Sequence, residues 1–203
     1  MKIGLYFGSF NPIHSGHLII ASHILNESDL KKIWFVVSPQ NPFKESENLL
    51  NEYDRMHLLQ KAIEDDPRMK VSDIEFFLPR PSYTVHTLAY LKEKYPEHQF
   101  SLVMGSDSFQ NLGKWKNSEL IISDYSILIY KRPGFEIENN RGARIQIMNA
   151  PLLEISATHI RELIRNGKSI KYLVPPIVEE EILAGGYFKN FQKNNPAKGR
   201  QQQ

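Results

Sequence analysis

The chain has 203 residues, enough for one good-sized core and one domain, and its 41% hydrophobic and 24% charged residues are the balance of a globular protein. It has no cysteine, which excludes disulfides and thiolate chemistry, and no apolar run of membrane-spanning length. The net charge of +2 belongs to the end of the chain. Lys189, Lys193, Lys198 and Arg200 stand without an acid in residues 189–203, so the remainder carries −2 and gives no sign of a nucleic-acid-binding face.

Apolar runs and helix-like segments alternate from the start. Residues 3–7 read as a first strand and 18–25 as a helix ending in polar residues. Residues 32–37 are continuously apolar after Lys32, as in a parallel strand buried on both faces, and 39–44 form a loop with two prolines. A helix is predicted over 53–63, with Met56, Leu59 and Ile63 on one stripe. Residues 70–76 alternate, which suits a strand nearer the sheet edge, and Pro79 to Ser82 break it. Val85, Leu88 and Leu91 mark a helix over 83–95. Strands follow at 100–104 and 125–130, with a last one somewhere in 145–155. A helix over 156–165 stops at Asn166-Gly167, and Pro175-Pro176 opens a final helix closed by Gly185-Gly186. Repeated βα units imply an α/β, Rossmann-like parallel sheet with helices on both faces and ligands beyond the carboxyl ends of its strands. The expected layout is a single domain over 1–188, a disordered basic tail over 189–203, and, with no charged leader, a cytoplasmic location.

Two strand-to-helix turns carry the chemistry. Gly8-Ser9-Phe10-Asn11-Pro12-Ile13-His14-Ser15-Gly16-His17 joins the first strand to the first helix, where free N–H groups and the helix dipole can meet an anion. Gly8 and Gly16 permit close backbone approach, and His14 and His17, three apart, can face the same cleft. Near the other end, Ile155-Ser156-Ala157-Thr158-His159-Ile160-Arg161 offers an N-cap, a hydroxyl in the first turn and a fork-shaped cation one turn later. By itself either turn has a duller explanation, a βα loop or a capped helix with a surface arginine.

Together, Gly-x-Phe-x-Pro-x-His-x-Gly-His and Ile-Ser-x-Thr-x-Ile-Arg resemble the paired signatures of the HxGH nucleotidylyltransferase superfamily. Pro81-Ser82-Tyr83-Thr84, Gly105-Ser106-Asp107-Ser108 with Trp115 downstream, and Arg132-Pro133-Gly134 are similar, as an ordered set, to bacterial nicotinate-nucleotide adenylyltransferases. The likeness runs from about Ile3 to Tyr187. It implies the nucleotidylyltransferase fold and transfer of an adenylyl group from ATP to nicotinate mononucleotide in NAD biosynthesis, by direct in-line attack without a covalent intermediate.

The resemblance also assigns residues. His14, His17 and Arg161 become catalytic. Gly8, Ser9, Phe10, Gly16, Gly105, Asp107, Ser156 and Thr158 surround ATP. Lys44, Ser82, Tyr83, Thr84, Trp115 and Arg132 surround the acceptor. Mg²⁺ is expected on the ATP phosphates and water, with no carboxylate cage of its own. Nucleic acid and membrane are not expected as partners, and a homo-oligomer is left open. Other readings are a nicotinamide mononucleotide or other phosphate acceptor, a non-catalytic nucleotide-binding module, and a class I aminoacyl-tRNA synthetase. The last would need an anticodon-binding domain and a basic face, and neither is expected from these 203 residues.

Overall fold

The computed structural model describes residues 1–39, 49–151 and 154–189. Lys44 and the tail from 190 onward lie outside the described residues. Six strands, β1 (Lys2–Gly8), β2 (Lys32–Val37), β3 (Met69–Ser72), β4 (Gln99–Gly105), β5 (Ser126–Tyr130) and β6 (Arg144–Met148), form one sheet in the order β3-β2-β1-β4-β5-β6. Every pairing is parallel. The order reverses between β1 and β4, so crossovers depart in opposite directions and leave a crevice beyond the carboxyl ends of those two strands.

Strand alternation divides the core into two layers. Ile33, Phe35 and Val37 of β2 and Tyr6 of β1 face one layer, closed by Ile24 of α1 (Ser15–Glu27), Leu58 of α2 (Glu52–Ile63), Ile160 of α6 (Ala157–Arg165) and Val178 of α7 (Pro176–Gly185). Trp34, Val36, Ile3 and Leu5 face the other. It is closed by Leu88 of α3 (Thr84–Lys94), Phe109 of α4 (Ser106–Gln110) and Ile121 of α5 (Ser118–Asp124). No described helix is long and apolar enough to cross a membrane.

The elements follow the sequence pattern with instructive exceptions. α7 starts with Pro176 in its first turn and ends at Gly186, left-handed with φ 62°, as the Pro and Gly placement requires. The expected edge strand over 70–76 is cut short. β3 stops at Ser72, opposite Val36, and the chain turns into a 3-10 helix over Ile74–Phe77. Ile74 and Glu75 are consequently both buried, which an alternating strand would not allow. α1 begins at Ser15, earlier than its apolar run, which brings His17 into its first turn. In α2 the buried stripe is Arg55, Leu58, Leu59 and Ile63, with Met56 only half-buried, so an arginine occupies a position the apolar pattern cannot announce.

Candidate active site

Two adjoining cavities open at the carboxyl ends of the strands. The larger holds about 490 Å³ and the smaller about 150 Å³, and Tyr6, Gly8, Ser108 and Tyr130 border both.

The first turn shapes the larger cavity. Phe10 adopts φ 44°, and its ring folds back beneath Gly8 so closely that a Cβ there would stand 2.8 Å from it. That ring packs edge-on against Tyr6, Phe35 and His17. Arg55 fixes the loop from below. Fully buried, it donates Nη1 to the carbonyls of Ser9 (2.6 Å) and Ser38 (2.9 Å), Nη2 to Pro39 (3.1 Å) and Nε to Leu50 (2.8 Å). Burial lowers its pKa to about 10, which still leaves it charged at neutral pH.

His14 occupies the N-cap position of α1 in extended conformation, and its ring stacks on that of His17 at 3.7 Å and 26°. Gly16 makes room, since a Cβ there would lie 3.1 Å from His14 Nδ1. Burial, reinforced by the positive Arg132, holds the pKa of His14 at about 4. At neutral pH His14 is therefore a neutral hydrogen-bond donor and not a cation.

The second turn arrives from the far end of the chain. Ser156 caps α6 by accepting from the His159 N–H at 3.2 Å. Arg161 donates Nη1 to the carbonyl of Asn11 (2.7 Å) and Nη2 to Thr158 Oγ1 (3.2 Å). This one side chain ties together motifs 150 residues apart. Across the cavity, Asp107 pairs with Arg132 Nε at 3.3 Å, and Arg132 also donates to the Tyr130 hydroxyl, which accepts from Tyr6.

The smaller cavity gathers Ser82, Tyr83, Thr84 and Trp115, with Glu75 and Lys116. Tyr83 is the N-cap of α3 and its carbonyl accepts from the His86 N–H at 2.9 Å, which leaves the N–H groups of Thr84 and Val85 as the helix's first-turn donors without an intrahelical acceptor. The Lys116 ammonium lies 4.5 Å from the Tyr83 ring centre. Glu75 is buried and accepts from Ser82 Oγ (2.8 Å) and Thr87 Oγ1 (2.9 Å). Burial pushes its carboxyl above the usual range while the hydroxyls of Ser82, Thr87 and Ser38 pull it back.

The structure thus brings Gly8, Ser9, Phe10, His14, His17, Asp107, Ser156, Thr158 and Arg161 around the larger cavity, and Ser82, Tyr83, Thr84 and Trp115 around the smaller. Three residues stand apart from the others of their expected groups. Arg132, expected with the acceptor group, lines the larger cavity beside Asp107. Gly105, expected with ATP, lines the smaller one. Gly16 lines neither and instead supports the histidine stack beside a third cavity of about 40 Å³. Arg55, Glu75, Tyr6 and Tyr130 escaped sequence reading. Only a charged residue at a core position of the helical or strand pattern could have betrayed the first two.

Comparisons with known proteins identify the family. The cytidylyltransferase-like family matches residues 5–163. A protein of Cytophaga hutchinsonii named "Probable nicotinate-nucleotide adenylyltransferase" is 50% identical over 192 residues, covering 94% of this chain and all of that protein. The chain belongs to the nicotinate-nucleotide adenylyltransferase family. Another relative in that family, from Bacteroides fragilis, is 45% identical over 183 residues, 90% of this chain and 91% of that one. The solved Plasmodium falciparum nicotinic acid mononucleotide adenylyltransferase complexed with NaAD superposes with a TM-score of 0.78. It covers 92% of this chain and 97% of that one, and at 21% identity it speaks to the shared fold.

Proposed function

We propose that the protein transfers the adenylyl group of ATP to nicotinate mononucleotide, giving nicotinate adenine dinucleotide and pyrophosphate, as a cytoplasmic step of NAD biosynthesis. The observation that carries this reading is the pair of abutting cavities. One is walled by Arg161, Arg132, two imidazoles and the starts of α1 and α6, chemistry suited to a triphosphate. The other is narrower and walled by Trp115, Tyr83 and the start of α3, chemistry suited to a flat ring bearing an anionic substituent. Family membership supports the same substrates.

A phosphate oxygen of the acceptor attacks the α-phosphorus of ATP, a new P–O bond forms, and the bond to the β-phosphate oxygen breaks. The attacking oxygen is anionic at neutral pH, so no general base is required. What the reaction needs is alignment of two anions that repel each other and stabilisation of charge building on the α-phosphate and the leaving pyrophosphate. Arg161 supplies a fixed positive charge. His17, in the first turn of α1, and neutral His14 supply N–H donors, and the helix starts supply backbone N–H groups. Mg²⁺ would arrive on the phosphate oxygens with its own water and neutralise part of their charge. Among the described residues lining the larger cavity, Asp107 alone carries an anionic oxygen, and it is paired with Arg132. The donor set therefore suits an ion held by the substrate, and no protein ligand is assigned to it.

An acceptor panel tests the proposal. Pyrophosphate release is measured with ATP and, in turn, nicotinate mononucleotide, nicotinamide mononucleotide and phosphopantetheine. The expected result is release with the first, well above the others. Release with none would leave a nucleotide-binding module, and release with phosphopantetheine foremost would reassign the acceptor.

A further inference from the structure

Glu75 is a buried carboxyl that the transfer chemistry does not use, and its position is unusual for stability alone. Burying a carboxylate costs more than packing an apolar side chain of the same volume, so such a group is weak evidence of a stabilising role. Its partners come from three separate segments that wall the smaller cavity: Ser38 just after β2, Ser82 in the turn before α3, and Thr87 in the first turns of α3. Ser82 and Thr87 donate to different oxygens of the carboxyl. Thr87 is fully buried, and Ser82 and Glu75 are nearly so.

We infer that Glu75 is a positioning residue for the acceptor: its two oxygens clamp the turn at Ser82 to the start of α3 and hold the Tyr83–Thr84 edge of the smaller cavity in place. This inference rests on the acceptor's ring binding in that cavity. The bonds also change what Ser82 offers. With its proton committed to Glu75, the Ser82 hydroxyl presents no donor to a ligand, so recognition of an anionic ring substituent falls to the N–H groups of Thr84 and Val85 at the start of α3. Glutamine cannot replace the clamp. It has one acceptor oxygen and one NH₂ donor, so one of the two hydroxyls must reverse its bond or lose it.

Steady-state kinetics on Glu75→Gln test this. The KM for nicotinate mononucleotide should rise about tenfold, the scale of one lost hydrogen bond to a charged group, while the KM for ATP stays within about twofold. A merely structural defect would instead raise both KM values together. The Glu75→Gln/Ser82→Ala double variant should be no worse than either single change, because both break one clamp. Additive effects, or equal rises in both KM values, would overturn the inference. If Glu75→Gln does not fold, Thr87→Val, close in shape and lacking one donor, carries the same prediction. Unchanged acceptor KM in that variant would overturn it equally. Wild-type turnover separates this from the broader reading. A wild type that uses another acceptor refutes the nicotinate assignment yet leaves the KM split measurable on that acceptor.

Discussion

The protonation of His14 makes a sharp prediction because its cause is structural. The ring is 6% exposed, stacks on His17, and has no hydrogen-bond partner for Nδ1 among the described residues. Its pKa of about 4 in the folded chain compares with 6.5 for the free side chain. The folded value is depressed, so the stabilising contribution is present above pH 6.5 and is lost as pH falls toward 4, where the unfolded chain gains a proton that the folded chain refuses. A shift of that size costs about 3 kcal/mol between pH 7 and pH 4. The measurement is urea unfolding of the wild type and His14→Gln across that range. The variant should lose about 3 kcal/mol less stability on acidification than the wild type, whatever its stability at pH 7. Parallel pH profiles would mean that His14 protonates freely in the fold, and the neutral-donor role would fall with it.

Three other changes test the site. His17→Ala should lower kcat by about 10²–10³, the scale of losing one donor to transition-state charge, and unchanged turnover would remove His17 from the chemistry. Trp115→Ala should raise the KM for the acceptor more than that for ATP, since its ring lines only the smaller of the two cavities. Equal rises in the two constants would make it a packing residue. Arg55→Met should cost about 4 kcal/mol in urea unfolding, because it strips the donors from four backbone carbonyls around the first turn, and a loss below about 1 kcal/mol would contradict their burial.

Local signals carried most of the architecture. The runs that became β1, β2, β4 and β5 are apolar enough to be read as strands, and the two motif-bearing turns stand out by residue type and spacing. What escaped depends on partners distant in sequence. β3 ends at Ser72 although β2 runs on to Val37: at Asp73 the chain turns into the 3-10 helix whose Glu75 meets Ser82 and Thr87, partners that no residue between 70 and 76 announces. Arg55 looks like a solvated cation between Asp54 and Met56 until the carbonyls of Ser9, Ser38 and Pro39 close over it. Glu75 belongs to an alternating pattern and gains its meaning only from Ser82 and Thr87. The family resemblance groups Arg132 with the acceptor residues. Its ion pair with Asp107, on a different strand end, is what draws it to the larger cavity.

The same dependence on distant partners bears on how the larger cavity would receive the triphosphate proposed for it. A flexible arginine would lose side-chain entropy on meeting a phosphate. Arg161 has already lost it, held by the Asn11 carbonyl and by Thr158 in its own helix. Asn11 lies in the loop whose neighbour Ser9 is fixed by Arg55, so the guanidinium is anchored to a segment that is itself anchored. The stacked imidazoles are held by the edge of Phe10 and by the absence of a side chain at Gly16. Donors fixed before the substrate arrives need no reorganisation as charge develops, which is the condition under which electrostatic stabilisation of a transition state is largest. Loosening any anchor, by Arg55→Met for example, should therefore lower kcat even though Arg55 itself lies behind the Ser9 backbone. Stopped-flow pyrophosphate release from the folded variant measures that directly, and an unchanged rate would show that this preorganisation does not depend on the buried arginine.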